Sequence, residues 1–495
     1  MRSKRLTARS AISRTRRMSG AAAAAVLLTI GATITATASP AATTVAHDDF
    51  NGDGYHDLVV SASGATVSAQ KGAGYVAVLY GSASGIPTSR RATFSLSTAG
   101  VPGIAQANDR FGKTTASGDL DGDGYADLVV GIPGKDIGTA ADAGAAVVLW
   151  GSATGLHSSG ALWLRDSTPV AGARFGEGLA AGRFKGSRTE LAVLLHSKEL
   201  RTYGFDASAG VRHAYETARF ASSAFSGFFT PVGLTSDDYN NDGADDLVVL
   251  GIDNDNVDDN KWGSAVYMPG SPDGLTVRGQ ISGGTTGASG DINKDGYPDL
   301  VMGSPANRDW QGAVLDPGSI TVLFGRPDGL SSPPDFQYWY QYSPALSGKI
   351  KVGDYFGGAV TVGDIDGDGY ADAAISAPRK DIGTVTDAGT VWVMRGSATG
   401  LTTNGMRTIS QSTPSVPGTN EKGDQFGGAL RLIDTNRNGK AELIASAPGE
   451  DTNDGAAWVF SGTSSGPAAT GSWSFNGATL RAPYLDARFG ETLAP

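Results

Sequence analysis

The chain has 495 residues, 71 of them glycine, with 40% hydrophobic residues and no cysteine. Without cysteine there is no disulfide framework, thiolate metal site or cysteine nucleophile. A formal net charge of −11 argues against nucleic acid and anionic membrane as partners. No run of 18 apolar residues follows the first forty, so no membrane span is expected in the mature chain.

In chain order, the first element is a targeting segment. Arg2, Lys4, Arg5, Arg9, Arg14, Arg16 and Arg17 precede the apolar stretch Ala21–Ile34 and the small-residue site Ala36-Thr37-Ala38. This pattern predicts a cleaved signal peptide over residues 1–38 and a secreted product. The Arg16-Arg17 pair leaves a twin-arginine route open beside ordinary secretion. The segment holds seven basic residues and no acid, so its loss takes the net charge from −11 to −18.

A nine-residue acidic loop then recurs along the chain. Its fullest form is Asp119-Leu120-Asp121-Gly122-Asp123-Gly124-Tyr125-Ala126-Asp127, followed at once by Leu128-Val129-Val130. Like charges crowded into one turn repel one another unless a cation lies among them. All-oxygen donors on a glycine-bearing turn favour Ca²⁺, which takes about six to eight oxygens at ~2.3–2.6 Å. An EF-hand would need a glutamate where Val130 stands, so the loop is expected between two strands. The candidate ligands are the side chains at loop positions one, three, five and nine and the carbonyl at position seven. They are Asp119, Asp121, Asp123, Tyr125 and Asp127, with Asp49, Asn51, Asp53, Tyr55 and Asp57 in the preceding unit. Later units supply Asp238, Asn240, Asp242, Ala244 and Asp246, then Asp291, Asn293, Asp295, Tyr297 and Asp299. The series closes with Asp364, Asp366, Asp368, Tyr370 and Asp372, and a weaker set at Asp434, Asn436, Asn438, Lys440 and Glu442. A degenerate copy, Gly182–Glu190, has Arg183 and Lys185 where ligands would be, so a side-chain cation is expected there instead of a metal. Five or six structural Ca²⁺ sites are therefore expected. The bland alternative is an Asx-rich turn without metal.

Each loop leads into an apolar run, often ended by a Gly/Ser-x-Pro turn such as Gly131-Ile132-Pro133 or Ser376-Ala377-Pro378. A second apolar block follows and closes in a glycine turn, as in Gly144–Gly155 and Gly389–Gly400. A Phe-Gly pair then opens the next unit at Phe111, Phe175, Phe356, Phe426 and Phe489. The phenylalanine reads as a plug between neighbouring units and the glycine as a point of close backbone approach. Seven units fill residues 49–495, a length per unit that suits a four-stranded propeller blade. Phe489–Ala494 repeats the opening strand of a unit, so it is expected to close the ring beside the first unit; Ala41–His47 is a rival for that slot.

Phe-Gly, Asp-x-Asp-x-Asp-Gly-x-x-Asp and Gly-x-Pro, in register through residues 45–495, resemble the FG-GAP repeats of the integrin α-subunit propeller and its bacterial secreted relatives. The resemblance implies an all-β fold: a seven-bladed β-propeller of four-stranded antiparallel blades. It also implies metal loops between the first and second strands, on the face opposite the ligand-binding loops. The function it implies is a calcium-binding, extracellular adhesion-like module, monomeric, with a protein or glycan partner. The alternative is a hydrolase-associated or lectin-like carbohydrate-binding propeller, and the balance of the reading is against an enzyme. The chain departs from the integrin pattern in lacking leg domains, a membrane span and an inserted nucleotide-fold domain.

Other motifs carry less. Lys422-Gly423-Asp424 resembles an adhesion tripeptide but falls on the repeat frame, and Gly462–Gly466 matches G-x-S-x-G at an ordinary repeat turn. The five histidines are scattered, with His56 expected to face solvent. The run Phe336–Tyr342 is expected to pack as an outer strand, with a sugar- or peptide-stacking platform as the alternative. The acidic insert Asp253–Asn260 is read as either a further calcium site or a solvated loop.

Overall fold

The computed structural model describes residues 47–494 apart from 197–198, 209–210, 226, 255–259, 310–312, 333, 344–345 and 347–349. The targeting segment and most of the acidic insert after Asp253 lie outside the described residues.

The apolar runs form seven four-stranded antiparallel sheets. Blade 2 shows the pattern: Thr115–Gly118, the acidic loop, Asp127–Ile132, Ala145–Trp150 and His157–Leu164, paired in that order. Its two central strands are buried along their whole length, while the outermost is half exposed. Central strands are covered by neighbouring blades on both faces, hence their unbroken apolar sequence. Blades 3 to 7 have innermost strands Gly178–Gly182, Phe229–Asp237, Thr286–Gly290, Val360–Gly363 and Leu430–Ile433. Blade 4 carries an added strand, Arg308–Asp309, against Asn260–Lys261.

Leu493–Ala494 pairs with Val59–Val60 and supplies the innermost strand of blade 1. Ring closure therefore falls to the Phe489–Ala494 segment. Of the rival Ala41–His47 only His47 is among the described residues, and it lines the central cavity. That cavity, about 460 Å³, is bounded by residues from all seven innermost strands, including Ser117, Ser236, Thr361 and Leu493.

The core lies between blades. Val148, Trp150, Val193 and Phe205 bridge blades 2 and 3, and Ile320, Val322, Ile375 and Trp392 bridge blades 5 and 6. The five repeat phenylalanines, Phe111, Phe175, Phe356, Phe426 and Phe489, are fully buried at these seams. Phe356 meets Trp392 edge-on at 5.5 Å and Phe426 meets Trp458 likewise at 5.5 Å, a favoured aromatic geometry. Backbones touch where glycine permits: a Cβ on Gly74, at φ +79°, would lie 2.4 Å from the Phe111 carbonyl oxygen.

Candidate metal-binding loops

The acidic loops of blades 2, 4, 5, 6 and 7 join the first and second strands of their blades. The blade 1 loop leads into the second strand, Leu58–Ala62, its first strand coming from the other end of the chain. The ninth residue leads into the second strand and turns inward: Asp57, Asp127, Asp246 and Asp299 are fully buried, with Asp372 and Glu442 nearly so. This carboxylate fastens the loop. In five loops it accepts the N–H of the second residue, as from Leu120 to Asp127 at 2.9 Å. It also accepts the N–H of the glycine ending the third strand, as from Gly151 to Asp127 at 2.9 Å and Gly396 to Asp372 at 2.9 Å.

The other acids fold the turn back on itself. The first residue accepts the N–H of the sixth, as in Gly124 to Asp119 at 3.1 Å and Gly369 to Asp364 at 2.8 Å. The third and fifth side chains accept from the amides two residues on, as in Asp53 to Asn51 at 2.9 Å and Tyr55 to Asp53 at 3.0 Å. These Asx turns leave further carboxylate oxygens facing one another. Asp119, Asp121 and Asp127 bring one oxygen each within 4.8 Å of the others, as do Asp364, Asp366 and Asp372.

The electrostatics are those of a cluster wanting positive charge. Burial first, and then neighbouring loop carboxylates, push Asp57 and Asp127 up to about 8, Asp246 and Asp299 to about 7, and Asp372 to about 6. Asp49 Oδ1 is buried with no hydrogen-bond partner among the described residues. An all-oxygen donor set with an orphaned, buried carboxylate oxygen fits a hard divalent cation.

Protein cations already reach some of these loops. Arg395 Nη1 lies 2.7 Å from Asp366 Oδ2 and 3.0 Å from Asp372 Oδ2. Arg212, on the outer strand of blade 3, crosses to the blade 2 loop, contacting Asp121 closely and Asp123 at 3.3 Å. Arg90 Nη2 lies 3.0 Å from Asp53. In the degenerate blade 3 loop Lys185 Nζ stands 3.7 Å from Glu190 Oε1, the side-chain cation expected there. Sequence reasoning missed the three arginines in the intact loops. Arg395 had a signal, a lone cation ending an apolar strand; Arg212 had none, because it acts across a blade boundary.

Neighbouring loops also touch. Lys294 donates to the Asp368 carbonyl at 3.0 Å, Lys440 to the Asp366 carbonyl at 2.8 Å, and Arg437 lies over the Tyr55 ring at 6.0 Å. His56 does not simply face solvent. It is half-buried and closely hydrogen-bonded to buried Asp48, which Arg431 also reaches at 3.3 Å.

Other motifs resolve from their places. Asp424 of the Lys-Gly-Asp tripeptide is 1% exposed, so its carboxylate is not displayed. The Gly462–Gly466 turn is capped by Thr463 Oγ1 to the Gly466 carbonyl at 2.7 Å, the same bond Ser152 makes to Gly155. In Phe336–Tyr342 the outer strand ends at Tyr340 and packs only in part. Tyr338, Tyr340 and Tyr342 are exposed, and the last two stack at 4.8 Å and 11°.

The FG-GAP repeat family matches residues 41–79, 111–149, 283–315, 356–394 and 426–460, in blades 1, 2, 5, 6 and 7. The chain is 30% identical over 161 residues to the phosphatidylinositol-glycan-specific phospholipase D of Rattus norvegicus. It is 27% identical over 217 residues to integrin alpha-5 of Xenopus laevis and 30% over 171 residues to integrin alpha-V of Gallus gallus. These matches take in 32%, 41% and 33% of this chain but only 18%, 20% and 15% of those proteins. The repeats and the ring of sheets agree. The chain is a seven-bladed β-propeller, with FG-GAP repeats matched in five of its blades.

Proposed function

We propose that this is a secreted, calcium-stabilised propeller that presents its loops to an extracellular protein or glycan. The convergence of loop carboxylates in blades 2 and 6, with an orphaned buried oxygen in the equivalent loop of blade 1, carries the calcium assignment. The ligands are the positions named above, including the carbonyls of Tyr55, Tyr125, Ala244, Tyr297, Tyr370 and Lys440. Bound Ca²⁺ removes the repulsion among the acids and locks the first-to-second-strand connection, a role open in a chain without disulfides. Its charge also offsets the acidic excess.

The binding role follows from the division of faces. The carboxylates of the acidic loops are committed to metal and to loop closure, which leaves no acid–base pair there for catalysis. The opposite face is made of variable loops. No helix among the described residues is long and apolar enough to cross a membrane, and residues 1–38 read as an export signal. The three exposed tyrosines of blade 5 favour a glycan among the possible ligands.

An extracellular-matrix and glycan array, run beside a general hydrolase panel, tests the reading. Saturable array binding without turnover is expected; turnover without binding would replace it with a hydrolytic function.

A further inference from the structure

A cleft of about 700 Å³ lies between blades 1 and 2. Its walls come from connections at the ends of the sheets opposite the acidic loops. Pro102 follows the outer strand of blade 1, Ile137 lies between the second and third strands of blade 2, and Pro169 follows the outer strand of blade 2. Trp163 and Arg165 stand at the end of that last strand.

These walls are tied to the scaffold. Ser158 Oγ donates to the Ala99 carbonyl at 2.7 Å, and the Ile104 carbonyl accepts from buried Lys135 Nζ at 2.8 Å. Ala173 N–H donates to the Val170 carbonyl at 3.1 Å. A Cβ on Gly103, at φ +98°, would lie 3.1 Å from the Trp163 ring, so the blade 1 loop rests on the indole. On this fixed frame Ile104 is 79% exposed and Val170 62%, two of the three most exposed large hydrophobic side chains among the described residues. They adjoin Gly103 and Pro169 and form the lip of the cleft. Aliphatic side chains held out in water beside a cavity mark an interaction surface.

The charges are also left open. Blade 6 carries the same Asp-Ile-Gly-Thr hairpin, in which Asp381 accepts Asp387 N–H at 3.2 Å and pairs with Lys351 Nζ at 3.0 Å. In blade 2 Asp136 accepts Asp142 N–H at 2.9 Å. The place of Lys351, whose N–H donates to Asp354, is taken there by Gln106, whose N–H donates to Asp109 and whose amide oxygen meets Lys135. Neither Asp136 nor Arg165 forms an ion pair among the described residues, although the chain is acidic and most of the cations described above are paired.

We propose that this cleft binds an extended protein segment in which an acidic side chain is flanked by aliphatic or proline residues. Arg165 takes the carboxylate, and Trp163 with Pro102 and Pro169 covers the neighbouring apolar side chains. Ile104 and Val170 close over them and exclude water, while Asp136 accepts main-chain N–H groups. Tryptophan and arginine inside an apolar rim are the composition of an interface hot spot. A glycan carboxylate would satisfy the arginine yet leave both aliphatic side chains against hydroxyls. The site rests on the binding role proposed above and assigns it a protein partner.

The test uses the full chain in calcium and an array of short synthetic peptides, each with one aspartate or glutamate among leucine, isoleucine and proline. Each peptide has a counterpart with asparagine or glutamine in place of the acid. Saturable binding that prefers the acidic member is expected. Arg165→Ala should weaken it roughly fivefold and erase the preference. Ile104→Ser with Val170→Ser should weaken acidic and amide peptides alike, and all three side chains are exposed, so the fold is kept. No acid preference, a preference that survives Arg165→Ala, or binding indifferent to the Ile104 and Val170 pair would overturn the proposal. So would acidic glycans that bind the wild type and are lost with Arg165→Ala, which would reassign the cleft. Matrix-protein binding untouched by all three substitutions would remove this site and leave the binding role standing; turnover without binding would remove both.

Discussion

Lys113 Nζ lies 2.9 Å from Glu491 Oε1, joining residues 378 apart in the chain. Lys113 follows the Phe-Gly of blade 2, and Glu491 follows the Phe-Gly that opens the last strand of the ring. The closing strand is short, two paired residues, so side chains such as this one share the task of closure. Ser61, on the other side, accepts the Thr492 N–H on its hydroxyl oxygen at 2.9 Å.

Burial alone would raise the Glu491 carboxyl, but Lys113, the Ser63 hydroxyl and Arg488 outweigh it and hold it below its ordinary value of 4.5. A depressed folded-state pKa gives stability that is present above the unfolded value and is lost as pH falls through the folded one. Glu491→Gln is expected to cost about 1 kcal/mol at pH 7, a figure discounted for the exposed lysine. The difference from wild type should shrink below pH 4.5 and vanish in stronger acid. Urea melts across that range check it; a difference that grows on acidification contradicts the assignment.

Calcium removal should lower the melting temperature of the whole ring. Each occupied site stabilises by about 2.7 kcal/mol at a hundredfold excess of free ion. Scanning calorimetry with CaCl₂ and then with chelator measures the effect. An unchanged midpoint would leave the acidic turns as metal-free Asx turns.

Arg212 competes with a cation for Asp121 and Asp123. Arg212→Ala should destabilise the calcium-free protein, and it should tighten calcium binding at the blade 2 loop roughly fivefold, from ~1 kcal/mol of relieved competition. Titration of the variant against wild type tests this. Weaker calcium binding in the variant would mean the arginine supports the loop geometry that metal requires.

Phe426 is sealed between blades 6 and 7 against Trp458 and Phe460. Phe426→Ala is expected to cost about 3–5 kcal/mol through lost burial and an unfilled cavity. Denaturant unfolding followed by tryptophan fluorescence reads the loss; a cost under about 1 kcal/mol would show that the seam collapses around the gap.

Much of the architecture was legible along the chain. Asp119–Asp127 with its glycines specified a turn, Ala145–Trp150 a strand covered on both faces, and Phe111-Gly112 a seam. These signals are local, because an Asx turn, a strand and a tight glycine approach each depend on residues close in sequence. Repetition then multiplied them into a count of blades. Local chemistry did not reach contacts between units. That Leu493–Ala494 takes the innermost place in blade 1, that Arg212 enters the loop of the blade before it, and that His56 meets Asp48 were decided by the closed ring. Arg165 shows the division most plainly. In sequence it is one of 39 basic residues; only the folded ring sets it in a cleft beside Trp163, with no acid to pair with among the described residues. The repeat and its turns could be read along the chain, since hydrogen bonds and burial within a blade are short-range. The tertiary structure decided which charges share a buried space, because proximity around a ring is set by closure and not by spacing along the chain.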